Sequence, residues 1–167
     1  MEERDFKRVY NPDKNVYDAA IERIDFIFKN FERIYLSFSG GKDSGIMLNL
    51  VIDYMRKNNI TKKLGIQILD NEANYEASME FMFRILDSNR DILDIYWCCM
   101  PITLPCTVSQ YAIDWQCWGE RDKERWIRPM PDRDYVVNIE NHKFDFLHED
   151  MHYDEFWDGF SEWYSQG

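Results

Sequence analysis

Ile34-Tyr35-Leu36-Ser37-Phe38-Ser39-Gly40-Gly41-Lys42-Asp43-Ser44 is the stretch on which the fold turns. Ile34 to Phe38 reads as a short buried strand, and a helix is expected from about Ser44 to Arg56. Within that helix Met47, Leu48, Val51, Tyr54 and Met55 recur at helical spacing. A strand that runs through glycines into a helix offers several backbone N–H groups in a concave nest. The positive end of the helix dipole points at whatever sits there. Gly40 and Gly41 permit dihedrals and close approaches that a Cβ would forbid. Ser39 and Ser44 add hydroxyls, and Lys42 adds a mobile positive charge. The stretch has the makings of a phosphate site.

Spacing excludes two other phosphate loops. A Gly-x4-Gly-Lys-Ser/Thr loop needs glycine where Leu36 stands, and Asp43 follows the lysine in place of Ser or Thr. A Gly-x-Gly-x-x-Gly fingerprint needs glycine where Lys42 stands. A plain strand-to-helix turn would use the glycines alone and leave the serines, the lysine and the aspartate without a purpose. What fits is Ser-Gly-Gly-x-Asp-Ser, which resembles the PP-loop of the ATP pyrophosphatase and PAPS reductase group.

Working outward, Asn15 to Phe31 reads as a helix with Val16, Tyr17, Ala20, Ile21, Ile24, Phe28 and Phe31 apolar and Asn15 as N-cap. Leu64 to Leu69 is expected to be a second strand ending at Asp70, Ala73 to Leu86 a third helix, and Ile92 to Trp97 a third strand stopping at Cys98-Cys99. This alternation is the pattern of a parallel α/β sheet with helices on both faces, its first two strands adjacent. Residues 1–99 would form the core of a single domain. Residues 100–167 would form an aromatic-rich irregular and helical extension, with a short strand within Asp132–Ile139 and a last helix over Asp154–Tyr164.

Composition narrows the function classes. The 167 residues are 45% hydrophobic and 31% charged, which suits one globular domain. A net charge of −11 argues against non-specific binding to nucleic acid or anionic membrane. No segment has the length of a membrane span, and the charged stretch Met1–Lys7 leads into no apolar signal region. Four cysteines in such a chain read as reduced thiols, so the expected compartment is the cytoplasm.

Three segments carry a wider resemblance: Asn15–Ile24, Tyr35–Tyr54, and Tyr96-Trp97-Cys98-Cys99-Met100-Pro101. Together they resemble the PAPS reductase-like branch that includes immunoglobulin-binding regulators and phage-borne sulfotransferase-like proteins. The resemblance implies an adenine nucleotide α-hydrolase-like, HUP-type three-layer fold with sheet order 3-2-1-4-5 and a nucleotide at the carboxyl ends of the strands. It implies ATP with Mg2+ as ligand, held by Ser39, Gly40, Gly41, Lys42, Asp43 and Ser44, with Asp70 on the adenosine side. Ser39 and Lys42 would be the catalytic groups in cleavage between the α and β phosphates, with transient adenylation of an acceptor. The loop is intact and no C-terminal Glu-Cys-Gly-like tail is present, which favours ATP over a phosphosulfate. In relatives the chain beyond a Trp-Tyr-Ser-x-Gly segment like Trp163–Gly167 continues into a further strand and a Gly-x-Arg motif. This sequence is therefore expected to stop short of the family's C-terminal part, leaving a sheet edge for a second copy or a partner chain.

Other constellations carry less. Asp70 and Glu72 have oxygen donors suited to magnesium, or they form a strand-end turn that caps the next helix. Cys98 and Cys99 could ligate an iron–sulfur cluster or perform sulfur transfer, but two small buried thiols are the preferred reading. His148-Glu149-Asp150-Met151-His152 matches His-Glu-x-x-His, yet Asp150 is charged where zinc-protease helices are apolar, so an acidic surface stretch is expected. Trp115, Trp118 and Trp126 with Arg121, Arg125 and Arg128 read as core aromatics beside a solvated charged face.

Overall fold

The computed structural model describes residues 13–167, so the Met1–Lys7 stretch lies outside the described residues. Helix α1 (Val16–Asn30) opens on Asn15, whose side chain accepts the Asp18 N–H at 2.9 Å. Strand β1 (Tyr35–Ser37) then leads into α2 (Lys42–Lys57), and β2 (Leu64–Leu69) into α3 (Glu76–Asp87). Strand β3 (Leu93–Cys99) is followed by a hairpin of β4 (Thr103–Pro105) and β5 (Asp114–Gln116). A 3-10 turn (Glu120–Arg125), β6 (Val136–Asn138) and α4 (Tyr153–Gln166) complete the order.

The result is a mixed α/β fold whose four-stranded parallel sheet, ordered β1-β2-β3-β6, is flanked by helices. Tyr35 pairs with Gly65, Gly65 with Asp94, and Trp97 with Val136. Alternation along the strands sorts the two faces. On one face Tyr35 and Tyr96 meet Phe160 and Tyr164 of α4 in edge-on aromatic pairs. Helix α4 comes so close there that a Cβ on Gly65 would lie 2.5 Å from the Tyr164 hydroxyl. On the other face Trp97 stacks on Phe83 of α3 at 4.8 Å, and Ile66, Leu48 and Leu86 are fully buried. Each such apolar side chain contributes about 1.5–3 kcal/mol by leaving water.

Five particulars differ from the sequence expectation. The fourth sheet strand joins outside β3, and β1 has a single neighbour among the described residues, so the order 3-2-1 is seen without strands beyond β1. Strand β3 runs through both cysteines, because Cys98 keeps pairing partners on each side, accepting the Asp70 N–H at 2.9 Å and lying opposite Val137. Helix α3 starts three residues late, because Asn71 and Glu72 make a tight turn with Glu72 at φ 66°. At the start of α1, Val16 and Tyr17 are exposed, and Ile24 is the residue of that helix which reaches the core. The β4–β5 hairpin was not foreseen.

Candidate phosphate site

Gly40 acts as the sequence predicts, whereas Gly41 does not need to be glycine: it sits at φ −73°, and a Cβ there would meet the Ser39 hydroxyl at 3.4 Å. Gly40 sits at φ 73°, the left-handed region that a Cβ disfavours, and a Cβ there would also lie 2.7 Å from the Met82 sulfur. Gly41 is the N-cap of α2 and supplies no side chain to the first turn, so the leading N–H groups of the helix are left without a side-chain cap. The loop is anchored from behind by the Phe38 N–H, which donates to the Gln67 carbonyl at 2.9 Å.

The polar side chains of the loop converge. Ser39 Oγ and Ser44 Oγ are 3.1 Å apart, and Ser44 Oγ donates to the Gly41 carbonyl at 3.1 Å. The Gly41 N–H donates to Ser39 Oγ at 3.4 Å. Lys42 and Asp43 are exposed, and neither takes part in an ion pair among the described residues. One exposed cation, two hydroxyls and a helix N-terminus thus fall within six residues, which is donor chemistry for a phosphate.

Asp70, the seventh predicted site residue, lies at the end of the neighbouring strand but does not join this group. Its carboxylate is fully buried. Oδ1 accepts from Arg128 Nη2 at 2.5 Å and from the Glu72 N–H at 2.9 Å. Oδ2 accepts from Trp97 Nε1 at 2.6 Å, with the Cys99 thiol at 3.7 Å. Glu72 is as fully engaged: one oxygen accepts the Trp118 N–H and the other the Ile127 N–H at 3.0 Å. The carboxylate of Glu72 therefore clips both ends of the segment 118–127. Trp118 Nε1 donates to the Asp70 carbonyl at 2.6 Å, and the Arg128 guanidinium lies 5.2 Å over the Trp118 ring.

Each carboxylate oxygen of Asp70 and Glu72 already accepts a donor from the protein, so the arrangement seen is the strand-end turn. Among the described residues no group of three or more His, Cys, Asp or Glu side chains is placed to hold a metal ion. Cys98 and Cys99 are fully buried, and burial, with Asp70 nearby, raises both thiols well above the ordinary range. Burial likewise pushes Cys117 up to about 12. Thiols held protonated in this way are poor ligands and poor nucleophiles. His148, Glu149 and Asp150 are exposed in a turn, and His152 is the N-cap of α4 rather than a helical partner of His148.

Sequence reasoning missed Arg128 as the counter-ion of Asp70 and placed it on a solvated face. Arg121 and Arg125 are solvated as expected, and Trp118 is buried as expected. A lone arginine past the end of a charged run carries no periodic signal. The one hint was the Trp-Ile-Arg-Pro context, in which the charge borders apolar residues.

No family model matches the chain, and no solved structure matches it. The chain is 35% identical over 153 residues to the "Uncharacterized protein YbdN" of Escherichia coli (strain K12). The match covers 91% of this chain but only 36% of that relative's length.

Proposed function

We propose that the chain is a PP-loop nucleotide-binding domain of the PAPS reductase-like, HUP-type branch that takes ATP with Mg2+ at Ser39–Ser44. The observation that carries the reading is the N-terminus of α2, which has no side-chain cap among the described residues, opened by Gly40 at φ 73° and flanked by Ser39, Ser44 and the exposed Lys42. The magnesium ion would arrive with the triphosphate as part of the substrate.

If turnover occurs, an acceptor oxygen bonds to the α phosphorus while the α–β bridging bond breaks and pyrophosphate leaves. The chain's part is electrostatic: loop N–H groups and Lys42 stabilise charge on the departing pyrophosphate, and Ser39 orients it. Asp70 and Glu72, the buried carboxylates after the neighbouring strand, are bonded within the protein and are not poised as a general base for the loop. That observation favours a second reading, a nucleotide sensor that binds without cleaving. Sulfur transfer through Cys98 or Cys99 is disfavoured by their burial. Four free cysteines are compatible with a cytoplasmic setting, and among the described residues no helix is long and apolar enough to cross a membrane.

Incubation with α-labelled ATP and Mg2+ tests the proposal. AMP and pyrophosphate as products, lost in Ser39→Ala and Lys42→Ala, identify the enzyme. ATP binding that these substitutions weaken, with no products, identifies the sensor. Binding that neither substitution alters overturns both.

A further inference from the structure

A second cavity, of about 750 Å³, lies between α3 and the segment 127–133. It is distinct from the phosphate loop. Met82 of α3 packs against Gly40, whereas Glu76, Met79, Glu80 and Phe83 of the same helix line the cavity, so α3 stands between the two sites. The volume falls in the range of small-molecule sites.

The cavity is built rather than left over. Its outer wall, Ile127 to Arg133, is tied down where the Ile127 N–H reaches Glu72 and where Arg128 bonds Asp70. Its floor is apolar, formed by Met79, Phe83 and Met130 between Pro129 and Pro131. Both lining arginines face carboxylates of the protein, Arg128 pairing with Asp70 while its buried Nε has no partner among the described residues, and Arg133 pairing with Asp87 and lying 4.7 Å from the Phe83 ring. Glu76, Glu80 and Asp132 also line it, are exposed, and form no ion pair among the described residues. Glu76 and Glu80 stand one helical turn apart on α3. The cavity therefore joins a polarisable apolar floor to an uncompensated negative rim.

We infer that this cavity binds a small organic cation, an amine carried on an aromatic or branched apolar body. The ammonium group sits between Glu76 and Glu80, and the apolar body lies on the methionines and Phe83, where sulfur–aromatic contact is favourable. An anion of the same shape meets three carboxylates and is rejected.

The test uses phenethylamine, with 2-phenylethanol and 3-phenylpropionate as neutral and anionic counterparts, titrated into protein labelled at the methionine methyls. Met79→Leu and Met130→Leu variants assign the resonances. Saturable shifts of the Met79 and Met130 methyls are expected, with phenethylamine at least tenfold tighter than 3-phenylpropionate. The Glu76→Gln/Glu80→Gln double variant is expected to lose that preference while still binding 2-phenylethanol. Equal binding of all three probes, or methyls unmoved at saturating amine, overturns the inference. So do shifts that depend on protein concentration with no probe present, because they give the cavity to a second copy of the chain.

Discussion

The carboxyl ends of β1 and β2 lie side by side on one rim of the sheet, and they treat polar groups in opposite ways. After β1, among the described residues, the helix N-terminus has no side-chain cap, Lys42 forms no ion pair, and Ser39 and Ser44 bond to one another and to the loop backbone. After β2, both oxygens of Asp70 and both of Glu72 are taken by donors from the protein itself. Exposure without partners is what a ligand site needs, and burial with every partner satisfied is what a scaffold needs. Residue type alone does not tell these apart, because an aspartate at a strand end suits either purpose.

The contrast predicts a graded set of effects. Asp70→Ala leaves Trp97 Nε1 and the Arg128 guanidinium buried without their acceptor, and its expected cost is about 3–5 kcal/mol. That corresponds to a fall in Tm on the order of 10 °C. Thermal unfolding checks it, and a drop of only a degree or two would mean that the clip at the β2 end does not hold the fold. Next comes Gly40→Ala, where the left-handed backbone and the Met82 sulfur together cost about 2 kcal/mol. Urea unfolding measures that loss, and isothermal titration should show ATP binding weakened with it.

Lys42→Ala separates the two ends most cleanly. ATP affinity should fall about tenfold, equivalent to about 1.4 kcal/mol. Stability should stay within about 0.5 kcal/mol of the parent, because the side chain is exposed and forms no ion pair among the described residues. A stability loss as large as the binding loss would make Lys42 structural. The smallest effect belongs to Arg121→Ala. Its 3.5 Å pair with Glu149 is exposed on both sides, and less than about 0.5 kcal/mol is expected in the same urea titration.

How much of this could be read in the sequence differs between the two ends as well. The phosphate loop is local: Ser39 to Ser44 contains its glycines, hydroxyls and cation within six residues, and the structure joins Ser39, Gly41 and Ser44 by hydrogen bonds. The helices were legible for the same reason, as with the Asn15 cap and the apolar spacing of α2 and α4. Asp70 was not, because its meaning is set by Arg128, and that of Glu72 by Trp118 and Ile127. Val16 and Tyr17 were placed among the apolar positions of their helix from periodicity, which records which face a residue occupies but not whether anything covers it. The β4–β5 hairpin escaped because strands of three residues carry too few alternations to register.

The Glu72 clip also sets an order of events during synthesis. The chain leaves the ribosome from its N-terminus, and the loop after β1 rests on Gln67, whose carbonyl anchors Phe38, and on Met82, which packs against Gly40. The end of β2 must wait for Trp118, Ile127 and Arg128, which lie 46 residues beyond Glu72, 55 beyond Glu72 and 58 beyond Asp70. Until then two carboxylates stand solvated at the tip of a nascent strand, and water keeps them so at no cost. A ribosome stalled before codon 118 would therefore display a finished phosphate loop beside an unfinished strand end, and one stalled with residue 128 clear of the exit tunnel would display both.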